Sequence, residues 1–156
     1  MFEEWLIDGY NLLRDVSSQK GIAKLSREML FGLLADFAAQ GQRKVLMVLD
    51  GCGNDDEFEA YRTKAFNIIY SQSVTADSVI EKTLYEKKGL GHFMVVTKDR
   101  AITQIARGLG SRVTEPEEFM ALLKAQTKEN DQILFNEKIR SREFNRPFGK
   151  IKPPIE

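Results

Sequence analysis

At 156 residues the chain fits one domain, and hydrophobic (42%) and charged (29%) residues stand in an ordinary soluble balance. Basic and acidic side chains number 23 each, so a formal net charge of zero argues against coating nucleic acid by bulk electrostatics and leaves a local basic patch as the signal to look for. The single cysteine, Cys52, excludes an intrachain disulfide and a cysteine-based zinc cluster, and no apolar run approaches the ~18 residues of a membrane helix.

The N-terminus runs through acidic residues straight into a strand and does not read as a signal peptide, so a cytoplasmic protein is expected. In "EEWLIDGYNLL", Glu4 to Asp8 predicts a first strand, followed by a turn through Gly9-Tyr10-Asn11. Leu25 to Gln40 carries the clearest helical periodicity. Leu25, Met29, Leu30, Leu33, Leu34 and Phe37 form its inward stripe, and Gly41 is placed to end it. Lys44 to Asp50 predicts a second strand whose continuous apolar centre suggests burial on both faces. Asn54 caps a short helix.

Phe66 to Ser71 predicts a third strand. Thr75 to Lys88 predicts a helix capped by Thr75, with Ile80 and Leu84 inward and Gly89 as its stop. His92 to Thr97 is a fourth strand leading into Lys98-Asp99. Ala101 to Leu109 is a short helix carrying Ile102, Ile105 and Ala106, and Ser111 to Thr114 is a fifth strand. Pro116 then opens a helix packed through Phe119, Met120, Leu122 and Leu123. Strands alternating with helices imply an α/β protein: a parallel sheet of about five strands, order 3-2-1-4-5, with helices on both faces in three layers.

Residues 1–126 read as this domain and 127–156 as a C-terminal helix and basic arm. Ile133, Leu134 and Ile139 give a weak helical stripe. Beyond it Arg140, Arg142, Arg146, Lys150 and Lys152 outnumber acids, Phe144 and Phe148 interleave with them, and prolines prevent a continuous helix. Such an arm either stacks RNA bases or docks on its own domain.

Acids recur at the strand ends. The first strand ends on Asp8, the second on Asp50, and the fourth leads into Asp99; Asp77 lies in the first turn of the helix after the third, with Glu81 on the same helical face. In an open parallel sheet, ligands bind beyond the carboxyl ends of the strands at the switch point, which here brings Asp8 and Asp99 face to face with Asp50 beside them. Carboxylates so close repel one another, and a divalent cation such as Mg²⁺ or Mn²⁺ removes the conflict. Asp8, Asp77, Asp99 and Glu81 are therefore candidate metal ligands. Asp50 and Asn11 complete the candidate catalytic set, Asn11 as a neutral donor orienting a carboxylate, a water or a phosphate oxygen. Thr97 is placed to do likewise.

Lys98, Arg100, Arg62 and Lys64 are candidate phosphate contacts, joined by Arg146 and Lys150 of the arm. Each residue has a plainer reading beside this one: strand-end aspartates cap turns and helices, Glu81 pairs with Lys82 or Lys88, and charged loop residues are solvated. Tyr10 is expected to pack beneath its loop, His92 to be a surface residue and Cys52 to be incidental.

Ile7-Asp8-Gly9-Tyr10-Asn11 resembles the D-G-Y-N signature of the NYN domains, a branch of the PIN-like nucleases. "VLDG" (Val48 to Gly51), "TADSVIE" (Thr75 to Glu81) and "VTKD" (Val96 to Asp99) are similar to segments of the YacP-like group, and "RPFGKI" (Arg146 to Ile151) to its C-terminal Gly-Lys turn. The resemblance implies a PIN-like sheet and a metal-dependent endoribonuclease acting on single-stranded RNA, associated with ribosomes and cleaving mRNA during translation. The positions it carries over are Asp8, Asn11, Asp50, Asp77, Glu81 and Asp99. PIN nucleases commonly add an acid from a helix between the first two strands, where Glu28 and Asp36 are the candidates. Two other classes stand beside this one: a non-catalytic RNA- or ribosome-binding module, and a metal-dependent phosphatase, against which position 10 is Tyr rather than the second acid of an Asp-x-Asp pair.

Overall fold

The central strand is apolar on both faces because both faces are covered. In β1 (Glu3–Asp8), Trp5 and Ile7 enter one apolar cluster while Leu6 enters the other. The computed structural model describes residues 3–18, 26–89 and 93–126. The chain divides into two units after Leu123, and all residues discussed below belong to the first. The C-terminal arm, with Arg146 and Lys150, and His92 lie outside the described residues.

β1 pairs in parallel with β2 (Arg43–Leu49) and β4 (Phe93–Val96); β3 (Phe66–Tyr70) and β5 (Arg112–Thr114) lie outside them, giving one sheet in the order 3-2-1-4-5. The register sets Ile7 against Met47 and Val96, so the three central strands end level with one another. α2 (Arg27–Gln40) and helical residues 116–123 cover one face through Leu30, Leu34, Phe37, Phe119 and Leu123. α3 (Ala76–Glu86) and α4 (Arg100–Gly108) cover the other through Ile80, Leu84, Ile102 and Ala106. The expected α/β architecture, five parallel strands between two helical layers, is the architecture observed.

Several local expectations change. The segment after Asp8 is helical, not a turn: α1 spans Gly9–Ser18 and buries Leu12. α2 starts at Arg27, with the Ser26 hydroxyl accepting from the Met29 N–H at 3.1 Å. Its buried positions are Leu30, Phe31, Leu34, Phe37 and Ala38, whereas Met29 is exposed and Leu33 only half-buried. Phe31 takes the inward place because aromatic partners await it: Phe58 stands edge-on with ring centroids 5.8 Å apart, and Tyr61 lies 5.4 Å away.

Gly41 ends α2 in extended backbone (φ −138°) rather than a left-handed cap. The Arg43 guanidinium instead donates to the Phe37 carbonyl at 3.0 Å and lies over the Phe37 ring. Asn54 caps a single 3-10 turn, Asp55–Phe58. Leu122 is exposed, unlike Phe119, Met120 and Leu123.

Gly9 sits where the first turn of α1 presses against β2. A β-carbon there would stand 2.7 Å from the Val48 carbonyl oxygen and 2.5 Å from Leu49 Cδ2. The backbone oxygen has no room to retreat, so the glycine is a steric requirement. Gly9→Ala is expected to destabilise the protein by about 1–2 kcal/mol, overpacking outweighing alanine's gain of less than about 1 kcal/mol in helix propensity. Urea titration reads this as a lower midpoint with unchanged slope.

Candidate active site

Asp8 ends the central strand only 3% exposed, yet carries a carboxylate. Its Oδ2 accepts from Asn11 Nδ2 at 2.7 Å and from the Thr97 hydroxyl at 3.2 Å; its Oδ1 accepts from the Asn11 N–H at 3.4 Å. Asn11 Oδ1 in turn accepts from the Lys98 N–H at 3.1 Å. The Thr97 oxygen, also buried, accepts from the Asp99 N–H at 3.1 Å. Asn11 thus straps the start of α1 to the loop after β4, and Thr97 ties Asp8 to the segment bearing Asp99.

The other strand-end acids meet helix N-termini. Asp50 Oδ1 accepts from the Ala76 N–H, the first residue of α3, at 2.9 Å. Asp99 is the N-cap of α4, its Oδ1 accepting from the Ile102 N–H at 3.0 Å. Asp77, in the first turn of α3, makes no hydrogen bond or ion pair among the described residues.

Asp8, Asp50, Asp77 and Asp99 line one open cleft of about 750 Å³, together with Tyr10, Asn11, Arg14, Thr75, Ala76 and Lys98. Burial pushes the Asp8 carboxyl above its ordinary range. Hydrogen bonds from the Asn11 backbone and Thr97 oppose the shift, while the charges of Asp77 and Asp99 add to it. Asp77 is also pushed up, by loss of hydration first and then by Asp99, Glu81 and Asp50. The four aspartates form one electrostatic unit, with Asp77 at its centre. Among the described residues no three acids come together closely enough to form a ready-made metal cage. Asp8, Asp50 and Asp99 each have an oxygen committed to a protein donor.

Asp8, Asn11, Asp50, Asp77, Asp99 and Lys98 are brought to one place. Glu81 lies one turn along α3, half-buried and facing Asp77 electrostatically, but it does not line the cleft. Arg100 is exposed at the start of α4, also outside the lining. Arg62 is held elsewhere: its guanidinium donates to Asn67 Oδ1 at 2.9 Å, to Glu59 at 3.0 Å and to the Ile68 carbonyl at 2.9 Å. Lys64 lines a separate groove with Glu4, Lys44 and Lys87, by the amino-terminal ends of β1 to β3. Glu28 and Asp36 are exposed on α2 and line no part of the cleft.

Sequence reasoning missed Arg14 and misplaced Tyr10. Tyr10 does not pack beneath a loop. It is 57% exposed at the cleft, with the Arg14 guanidinium 5.5 Å from its ring centroid. The two are four residues apart, a helical spacing that reading Gly-Tyr-Asn as a turn concealed.

The sequence profile of the YacP-like NYN domain matches residues 5–150. The chain belongs to the YacP-like NYN domain family. This places it in the PIN-like nuclease superfamily. The chain is similar to the crystal structure of Rae1 (YacP) from Bacillus subtilis, at 18% identity and a TM-score of 0.68 over 90% of this chain and 83% of that one. A tryptophan-to-leucine mutant of the same protein matches at 19% identity and 0.65, over 89% and 84%. At these identities the likeness is one of fold. Among curated proteins no match is found.

The raised carboxyl of Asp77 has a consequence for stability. A carboxyl raised in the folded state binds its proton more tightly there, so folding loses stability as pH rises through the ordinary range and up to the raised value. Asp77→Asn removes that loss. The variant is expected to be modestly more stable than the parent at pH 7, with the gap closing as pH falls to about 4 and below. Urea melts of both proteins across pH check this. A gap that instead widens on acidification would mean that the ionised Asp77 is stabilised by the fold.

Proposed function

We propose that this protein is a divalent-metal-dependent endoribonuclease that hydrolyses phosphodiester bonds in single-stranded RNA, with mRNA on the ribosome as its setting. The observation that carries the reading is the convergence of Asp8, Asp50, Asp77 and Asp99 on one open cleft at the carboxyl edge of the sheet. Membership of the YacP-like family supports the nuclease chemistry, and the resemblance of the four segments to that group supports RNA and the ribosome as partners. An mRNA nuclease works in the cytoplasm, and among the described residues no helix is long and apolar enough to cross a membrane.

The donor set fits a hard cation. Every candidate ligand is a carboxylate oxygen, and Asp77 is uncommitted to any protein donor among the described residues. Mg²⁺ and Mn²⁺ sites of this kind need only one or two protein carboxylates, the rest of the shell being water and substrate phosphate, so the lack of a closed cage is compatible with them. Asp8, Asp77 and Asp99 would hold the ion, with Asp50 completing the shell and Glu81 behind Asp77. A bound ion supplies a more acidic water and neutralises charge on the phosphodiester. The chain's own residues do the positioning. Asn11 and Thr97 fix the Asp8 carboxylate and Lys98 meets phosphate at the rim, while Arg100 and, in the C-terminal arm, Arg146 and Lys150 are further candidate phosphate contacts.

One observation favours a second reading. The commitment of three aspartates to protein donors is also what a non-catalytic RNA- or ribosome-binding module would show.

Incubating the protein with single-stranded RNA and with translating ribosomes, in Mg²⁺ or Mn²⁺ and in EDTA, separates the two. Cleavage is expected with metal and not with EDTA. Removing an outer partner of a metal ligand costs about 10- to 100-fold, so Asn11→Ala is expected to lose activity in that range, and Asp8→Ala and Asp77→Asn are expected to lose more. Asp77→Asn keeps the test clear of unfolding, because Asp77 makes no hydrogen bond that the substitution breaks. Ribosome binding without cleavage, indifferent to EDTA and to both aspartate variants, would identify an adaptor instead.

A further inference from the structure

We infer that Tyr10 is a stacking platform for an unpaired base of a single-stranded polynucleotide, and that Lys98 takes the neighbouring phosphate. The inference rests on reading the cleft as an RNA site and names what makes that site select single strands.

Tyr10 follows the glycine that locks the first turn of α1 against β2, and it precedes Asn11, which is bonded to both Asp8 and the Lys98 N–H. The backbone on either side of Tyr10 is therefore fixed. The residue is nevertheless 57% exposed, at a cleft that four aspartates also line. The Arg14 guanidinium lies 5.5 Å from the ring centroid, a cation–π distance that steadies the ring and places positive charge beside it. Among the described residues, the Arg14 guanidinium is the one ring contact made with this large aromatic side chain.

Charge alone does not bring RNA to this cleft, because its floor repels phosphate. A contact independent of charge is needed, and a pre-positioned aromatic face supplies one. Every base has a π-face, so stacking on tyrosine tolerates any sequence. A base inside a duplex is already stacked on its neighbours and has no face to offer Tyr10. The exposed lysine at position 98 lines the same cleft and makes no ion pair among the described residues.

The test is equilibrium binding of a 5′-labelled single-stranded RNA and of its duplex by fluorescence anisotropy in EDTA, over a salt series. Tyr10→Ala is expected to weaken single-strand binding about 5- to 150-fold, the range for losing one stacked base, with the salt slope unchanged. Tyr10→Phe and Tyr10→Trp should bind like the parent. Lys98→Ala should flatten the salt slope by about 0.7, one phosphate's worth for a single strand. Tyr85→Ala, an equally exposed aromatic on α3 outside the cleft, should change nothing. Duplex binding should not respond to position 10.

Parent protein that fails to bind the single strand, a Tyr10→Ala variant that binds as tightly as the parent, or a Tyr10→Phe variant as weak as Tyr10→Ala each overturns the proposal. The last would make the hydroxyl, not the ring, the contact. Cleavage plays no part in the readout. If position 10 behaves as expected and no preparation cuts RNA, the nuclease reading fails while the stacking role stands.

Discussion

A carboxylate almost out of reach of water ends the central strand, and the fold around it is arranged to hold it there. An ionised group in that position must be hydrogen-bonded or it is neutralised. Asp8 is served by Asn11 from the helix that follows and by Thr97, 89 residues away in sequence. Those donors join β1, α1 and the loop after β4 into one piece. The glycine at position 9 belongs to the same constraint, since Asn11 reaches back to Asp8 only if the first turn of α1 lies close against β2. Asp8, Gly9 and Asn11 of the D-G-Y-N segment thus bury one charge at a chosen place, each doing a separate part.

Helix N-termini make the remaining acids tolerable. Asp50 and Asp99 each direct one oxygen to a free N–H at the start of a helix, where partial positive charge favours an anion. The plain reading of a strand-end aspartate as a cap holds for these two, and it does not exclude the functional one. The cap fixes one oxygen and the carboxylate still lines the cleft. Asp77 lies in the first turn of α3 but its carboxylate accepts no hydrogen bond among the described residues, and loss of hydration, then the charges of Asp99, Glu81 and Asp50, push it up.

The strands were legible because a buried parallel sheet writes itself as continuous apolar runs, and their order followed from alternation with helices. The acids were legible for the same reason: a parallel topology sends every strand's last residue to one edge, so Asp8, Asp50 and Asp99 needed no three-dimensional knowledge to be grouped. What failed was local chemistry overruled by packing. Gly-Tyr-Asn has the composition of a turn, but Gly9 is there for lack of space, not for conformational freedom, and the helix it opens went unread. The inward stripe of α2 was set on Met29 because methionine is apolar, whereas Phe31 finds Phe58 and Tyr61, partners that no local pattern announces. Arg62 read as a phosphate contact by its charge alone; in the fold its guanidinium binds the 3-10 segment to β3.

The cleft that results has two halves with opposed electrostatics. Its floor is four aspartates, and its rim carries Tyr10, Arg14 and Lys98. Neither half suffices alone in the nuclease reading. The floor repels RNA until a cation is present, and with oxygens of Asp8, Asp50 and Asp99 committed to protein donors it offers that cation a sparse shell. Phosphate oxygens of the substrate complete such a shell, so metal and RNA each strengthen the other's binding. In the same reading the rim would supply what that coupling lacks, an attraction for single strands that acts before the metal site is filled. In that reading, separating attraction from chemistry would let a chain of zero formal net charge still address a polyanion. Few basic residues would then suffice, with stacking at the rim and metal at the floor carrying the rest.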